Sequence, residues 1–560
     1  MFNNYDVKKE FHVKVPMRDG VLLSADIFRP SIAGAFPVIL MRTPYDNNSL
    51  ITKGIQYAQC GYVVVAQDCR GRYDSAGEFY AWHDEAKDGY DTQEWIGRQP
   101  WCNGKIGTAG GSYLGLVQWL AAPLRSQYLK TMVPRVITSN FYDSPNYSGG
   151  AFQLALNMLW GFRQLGRTNQ SIEHYNWPEL FRTLPLITAD EVAGRNLAFW
   201  KDWVRHPNYD DYWKEVSIEE KYEQIKVPAL IMGGWYDLYS KQTFVNYNGM
   251  VQRGGAQEAR QGTKMIMGAW PHPLSASTIT GEVDFGVDSK YDLEGMELRW
   301  FDYWLKGIDN GIMKEAPIKL FIMGANYWRD EYEWPLARTQ YVNYYFHSSG
   351  RANSLAGDGI LSTTLPADEP QDRYTYNPDN PVPTLGGNNC CSPDIVAWGA
   401  YDQRPAERRN DVLVYTTPPL AEDLEVTGPI AVKLYAASST TDTDFTAKLV
   451  DVFPDGYAMN LCDGIIRARY RESFEKAKLM KPGTVYEFTL DCWVTGNVFK
   501  AGHRIRVDIS SSNFPRFDRN PNTGHEFGMD SELSIVEQTV YHNRNYPSHI
   551  ILPVIPYEHG

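Results

Sequence analysis

Short apolar runs, each closed by a polar or turn-forming cluster, alternate with helical stretches through the first third of the chain. Val13–Val15 and Leu22–Phe28 flank Arg18-Asp19-Gly20, and an Asp-Gly pair between two strand-like runs predicts a hairpin. Pro37–Met41 runs into Arg42-Thr43-Pro44-Tyr45-Asp46, and Tyr62–Ala66 into Gln67-Asp68. Ile106–Ala109 leads into Gly110-Gly111 and then the helical stretch Leu114–Ala122. Continuous apolar strands alternating with helices predict a parallel sheet covered on both faces. From about Asn140 to Tyr222 the strand signals fade. Helical spacing there, with Trp160, Trp177, Trp200, Trp203 and Trp213, predicts a helical insertion. Strand signals return at Ala229–Met232, Lys264–Met267 and Ile318–Met323, so the sheet resumes. Beyond about Gln340, runs such as Ile430–Ala436, Thr446–Phe453, Tyr486–Leu490 and Ile505–Ile509 are separated by Gly, Pro and Asp turns, the pattern of a β-sandwich or jelly roll. The expected organisation is a discontinuous α/β domain (1–138 and 223–339), a helical domain at 139–222 and a β domain at 340–560.

The chemistry sits at the ends of the predicted strands. Gly110-Gly111-Ser112-Tyr113-Leu114-Gly115 lies between a strand and a helix, the context in which a tight turn lifts a nucleophilic serine clear of a sheet. The match to G-x-S-x-G is imperfect, because the second glycine comes one residue late, and a serine before a helix serves equally well as an N-cap. Later residues weigh on that choice. Ala229–Met232 runs into Gly233-Gly234-Trp235-Tyr236-Asp237, and Lys264–Met267 into Gly268-Ala269-Trp270-Pro271-His272. Serine, then an acid, then histidine, each just after a strand, is the order an α/β-hydrolase needs. Turn roles explain either Asp237 or His272 alone, but explain the ordered trio poorly.

Other candidates read as structural. Asp68 precedes the serine, out of order, and is expected to be a turn residue. Asp84, Asp88 and Asp91 have helical spacing and are expected on a solvated or capping face. Arg467, Arg469 and Arg471 are expected to alternate along one strand opposite acids on its neighbour. The nucleotide-loop and paired-cysteine or histidine metal motifs are not found, and no cofactor is expected.

Composition narrows the partner more than the fold. Lys and Arg number 54 against 67 Asp and Glu, a net charge of −13, which argues against a nucleic-acid partner. Five hundred and sixty residues can bury a core without a disulfide or metal staple. Seven cysteines spread over that length do not read as a disulfide framework, and adjacent Cys390 and Cys391 cannot hold a metal without other ligands. The 17 Trp, 36 Tyr and 23 Phe predict aromatic-lined pockets as well as a large core. The chain opens with no apolar stretch of signal-peptide length, and no run approaches the roughly 18 apolar residues of a membrane span. A cytoplasmic chain without a membrane partner is expected.

The sequence resembles the cocaine esterase and glutaryl-acylase group of α/β-hydrolases, related to α-amino acid ester hydrolases and X-prolyl dipeptidyl aminopeptidases. The stretches that carry the resemblance run nearly end to end: VPMRDGVLLSADIFRP, MRTPYD, QDCRGRYDSAGEF, GGSYLG, GGWYD, GAWPH, DYWLKG, TDFTAKLVDVFPDG and SSSNFPRFDRN. It implies an α/β-hydrolase domain with an inserted helical cap and a C-terminal jelly roll. It also implies Ser112 as nucleophile, His272 as general base, Asp237 as its orienting acid, and Tyr45 with the backbone N–H of Tyr113 as oxyanion donors.

Members that act on α-amino acid esters carry acids just after the triad aspartate. Here that stretch is Leu238-Tyr239-Ser240, which argues against an α-amino acyl substrate. By the resemblance, Trp160 and Tyr239 line the acyl pocket. Asn146 stands where a second cap tryptophan is expected, and Asn389-Cys390-Cys391 replaces bulky apolar residues over the site. An aromatic but more polar pocket follows. The expected activity is hydrolysis of a small ester with a bulky acyl group, aromatic ones included, through an acyl-serine. The same triad would serve an amidase, acylase or X-prolyl-type peptidase. An alternative of another class is a carbohydrate- or surface-binding protein with an inert hydrolase domain. A homo-oligomer is compatible with the resemblance, though no interface signature is visible.

Overall fold

The computed structural model describes residues 4–274 and 277–556, and its centre is a ten-stranded sheet. The strands are β1 (Val7–Pro16), β2 (Leu22–Pro30), β3 (Phe36–Thr43), β4 (Val63–Asp68), β5 (Cys102–Gly111), β6 (Leu129–Arg135), β7 (Leu230–Tyr236), β8 (Lys264–Pro271), β9 (Ile318–Ile322) and β10 (Tyr327–Glu331). Their spatial order is β1-β2-β4-β3-β5-β6-β7-β8-β9-β10. From β4 to β9 all neighbours run parallel, while β1, β2 and β10 are antiparallel edges. The central strands are buried along most of their length, which is why they read as unbroken apolar runs.

Helices α1 (Ile51–Gln59), α2 (Glu85–Gly97) and α3 (Tyr113–Ala121) cover this sheet. The register aligns Thr43 with Asp68 and Gly111 with Arg135, so the C-terminal ends of the parallel strands form one rim. In an open parallel sheet that rim is where ligands bind.

Between β6 and β7 lie a two-stranded ribbon (Tyr147–Ser148 with Ala151–Phe152) and several helices, among them α4 (Leu154–Arg163) and α5 (Ala198–Arg205). After β7 comes α6 (Ser240–Arg253). The C-terminal third is a twelve-stranded β assembly built on the long antiparallel pair Leu424–Ser438 and Tyr486–Phe499. It packs directly against the first sheet. Gly496 lies against the Trp235 ring so closely that an added Cβ would come within 2.8 Å of it. Met323 and the Gly496–Val498 segment exchange backbone hydrogen bonds. One apolar core therefore runs through Trp119, Trp203, Trp235 and Leu490 without a break.

Two expectations are corrected. Asp88 is buried and paired with Arg70 at 2.6 Å, and Asp91 binds Arg18, so these two anchor loops rather than meeting solvent, while Asp84 is part-exposed at the helix start, as expected. Arg467 ends a strand and Ala468–Tyr470 turns as a 3-10 helix, so the three arginines do not alternate along one strand. The expected acid on the neighbouring strand is present for Arg467, which is enclosed between Asp444, its cross-strand partner, and Asp518, and Arg469 pairs with Asp442.

Candidate active site

The candidate triad and Tyr45 each follow a strand of the rim: Tyr45 follows β3, Ser112 β5, Asp237 β7 and His272 β8. Ser112 takes φ +56° and ψ −126°, a strained conformation for a non-glycine residue that a tight strand-to-helix turn imposes. Its hydroxyl makes no capping bond to α3 and lies 2.9 Å from His272 Nε2. The N-cap alternative is thereby set aside. The late glycine also finds its reason. A Cβ on Gly115 would sit 2.8 Å from Ile137 Cγ2 and 3.1 Å from the Arg135 carbonyl, so the close approach falls at Gly115 and Leu114 is tolerated.

His272 Nδ1 is 2.7 Å from Asp237 Oδ1, and Asp237 is fully buried. Tyr45 is half-buried. Its hydroxyl accepts a bond from Trp160 Nε1 at 2.8 Å and also hydrogen-bonds Ser112. Burial pushes the Tyr45 phenol up to about 12, so it keeps its proton and remains a donor. Tyr113 opens α3, where a first-turn N–H has no intrahelical acceptor. Its side chain is held separately: the hydroxyl donates to Glu85 Oε1 at 2.9 Å, and Glu85 in turn meets Arg42.

These groups face a partly open cavity of about 30 Å³. Helix α4 supplies Leu156, Asn157 and Trp160 from one face, since positions four apart share a side. Trp160 stacks on Tyr113 and on Trp203, and Trp203 stacks on Trp82, which also lines the cavity. Tyr239 stands edge-on to His272. Cys390 and Cys391 form the opposite wall and are joined by a disulfide. That bond between neighbours closes no chain loop, so it does not staple the fold, and it replaces two thiol donors with an apolar sulfur pair. The wall is thus less polar than the sequence suggested.

Asn146 does not line the cavity: it is buried, and its amide donates to the Phe141 carbonyl at 2.7 Å. Its neighbour Pro145 lines the cavity instead, and Trp82 supplies the second tryptophan from the α/β part of the chain. The sequence reading also missed Asn388. This buried side chain donates to the carbonyls of Trp235 (2.9 Å) and Asp237 (2.8 Å), tying a loop of the β assembly to the turn that carries the acid. Its only sequence signal was its place beside Asn389-Cys390-Cys391.

Among the described residues, none lining the cavity is an aspartate or glutamate. The one group with metal-ligand spacing among them is His525, Asp530 and Glu532, which lies outside the cavity lining. No helix among the described residues is long and apolar enough to cross a membrane.

Residues 19–273 match the X-Pro dipeptidyl-peptidase (S15 family) profile, and residues 310–551 match the X-Pro dipeptidyl-peptidase C-terminal non-catalytic domain. A cocaine esterase of Rhodococcus sp. (strain MB1 Bresler) is 37% identical, with 99% of each chain covered. Two solved structures superpose with a TM-score of 0.85 and 26% identity. One is an aminopeptidase from a marine sediment Thaumarchaeota archaeon, with 99% of this chain and 98% of that one covered. The other is an α-amino acid ester hydrolase, with 99% and 97% covered.

Proposed function

The chain belongs to the X-Pro dipeptidyl-peptidase (S15) family and is a serine ester hydrolase, and we propose that it cleaves small carboxylic esters through an acyl intermediate on Ser112. One observation carries this reading: the hydrogen-bonded line from Ser112 Oγ through His272 to a buried Asp237, at 2.9 and 2.7 Å. His272 Nε2 takes the Ser112 proton as Oγ attacks the ester carbonyl. Asp237 holds the ring through Nδ1 and stabilises the imidazolium that forms. The Tyr45 hydroxyl and the Tyr113 N–H receive the developing oxyanion. His272 then gives its proton to the leaving alcohol, and water activated by the same ring releases the acid.

The lining supports an aromatic or aliphatic acyl group without an α-ammonium. With no carboxylate at the cavity wall, a substrate ammonium would be buried unpaired, which costs several kcal/mol. Uncharged acyl esters are therefore favoured over α-amino acyl esters and N-terminal peptide substrates. A pure binding role is disfavoured because the loop of the β assembly that carries Asn388 and Cys390 is committed to the Ser112 cavity.

The test is labelling by a fluorophosphonate, with turnover of chromogenic esters and matched anilides. Labelling and ester turnover should both vanish in Ser112→Ala, and the anilides should turn over more slowly than the esters. An unlabelled wild-type protein would sink the proposal.

A further inference from the structure

The cavity at Ser112 is small for the substrates its aromatic lining suits. A water molecule needs roughly 10–15 Å³ of such space, so the cavity holds about two waters and leaves little depth beside Ser112 for a larger acyl group. A second cavity of about 10 Å³ lies directly behind that wall. It is lined by Gln153, Leu238, Asn389 and Arg516, among others, and it shares Leu156 and Cys390 with the first. The residues common to both linings are thus Leu156 and Cys390, one half of the disulfide.

From this placement, we propose that the Cys390–Cys391 disulfide is the specificity-determining wall of the acyl pocket, and that its reduction enlarges the pocket towards the cavity behind it. The inference rests on the ester-hydrolase reading of the same site. A covalent bond keeps two sulfurs inside van der Waals distance, whereas two thiols must part to about 3.5–4 Å. In a space this small, such a shift decides which acyl groups enter.

The backbone allows the change to stay local. Cys391 holds φ +82°, a left-handed conformation that a non-glycine residue keeps only when its surroundings impose it. The residues on either side are pinned. Asn388 binds the Trp235 and Asp237 carbonyls, and Asn389 binds those of Gly386 and Ala397 at 2.8 Å. Arg163 of α4 binds the Cys391 carbonyl and the Ser392 hydroxyl. Opening the bond therefore moves the wall while the Asp237 turn stays held. The space behind is small and polar: Arg516 is buried, its Nε and Nη2 have no hydrogen-bond partner, its guanidinium lies over the Trp493 and Phe517 rings, and its Nη1 binds Asp463.

The experiment uses the full chain with and without a water-soluble phosphine. The S–S bond accepts two electrons and two protons to give two thiols, and the phosphine takes oxygen from water to become its oxide. Denatured, unreduced protein should titrate the five free thiols Cys60, Cys69, Cys102, Cys462 and Cys492, rising to seven after reduction. Across that step, the ratio of kcat/KM for benzoyl over acetyl esters should rise about tenfold. In the double variant Cys390→Ser, Cys391→Ser the ratio should be high from the start and insensitive to phosphine. Seven thiols without reduction, or a ratio that stays constant while the thiol count rises, would overturn the inference. Loss of all ester turnover in the wild type would instead overturn the hydrolase reading, so the two failures are distinguishable.

Discussion

Tyr45 shows how much of an active site depends on a single protonation state. Its hydroxyl accepts from the Trp160 indole and hydrogen-bonds Ser112, in the proposed mechanism its hydrogen serves the oxyanion, and burial holds the phenol protonated to about pH 12. Tyr45→Phe is expected to lower kcat by about 10²–10³ with little change in KM, because the bond strengthens in the transition state. Steady-state kinetics with an acetyl ester check this. Trp160 fits a site that both shapes the acyl space and orients that donor. Ser112, Asp237 and His272 were legible because each sits immediately after an apolar run. Asn388, Pro145 and Trp82 were not, because nothing local marks a residue that reaches the site only through packing.

At the scale of an element, β4 ends in a buried carboxylate. Asp68 accepts from the Asn47 N–H at 2.8 Å and from Asp74 N–H, fixing the turn that precedes the loop to α2. Burial raises its carboxyl to about 7. Above an unfolded value near 4, the native state therefore keeps a proton that the unfolded chain has lost, and stability falls as pH rises from about 4 to 7. Asp68→Asn should remove that part of the slope. Urea midpoints at pH 5 and pH 8 should differ less in the variant than in the wild type. The strand itself was plain in the sequence and the turn role was expected. The buried, proton-holding carboxyl was not, because burial is decided by the segments that close over it.

For the whole molecule, the informative contact is the one that crosses from the β assembly to the first sheet. Asn388 holds the Trp235 and Asp237 carbonyls, and Gly496 lets the backbone approach Trp235. Asn388→Ala should leave those carbonyls unpaired and loosen the acid, lowering kcat roughly 10- to 100-fold with KM nearly unchanged. Ester kinetics beside a far-UV spectrum would separate this from unfolding; an unchanged kcat would show that the contact positions nothing. The β assembly thus belongs to the working site, although it contributes none of the Ser112, His272 and Asp237 set.

The sequence by itself determined the order of strands and helices, the strand-end positions of Tyr45, Ser112, Asp237 and His272, and the class of chemistry they can perform. It could do so because apolar periodicity and turn residues are local signals, and a parallel sheet brings its strand ends to one rim. Only the tertiary structure decided which side chains enclose the cavity. It joined Cys390 to Cys391 as an apolar wall, drew Trp82 in where Asn146 was expected, moved the close glycine to Gly115, and walled the site with a loop from the β assembly. Those choices depend on contacts between segments distant in sequence, which one chain's pattern of residues does not encode position by position.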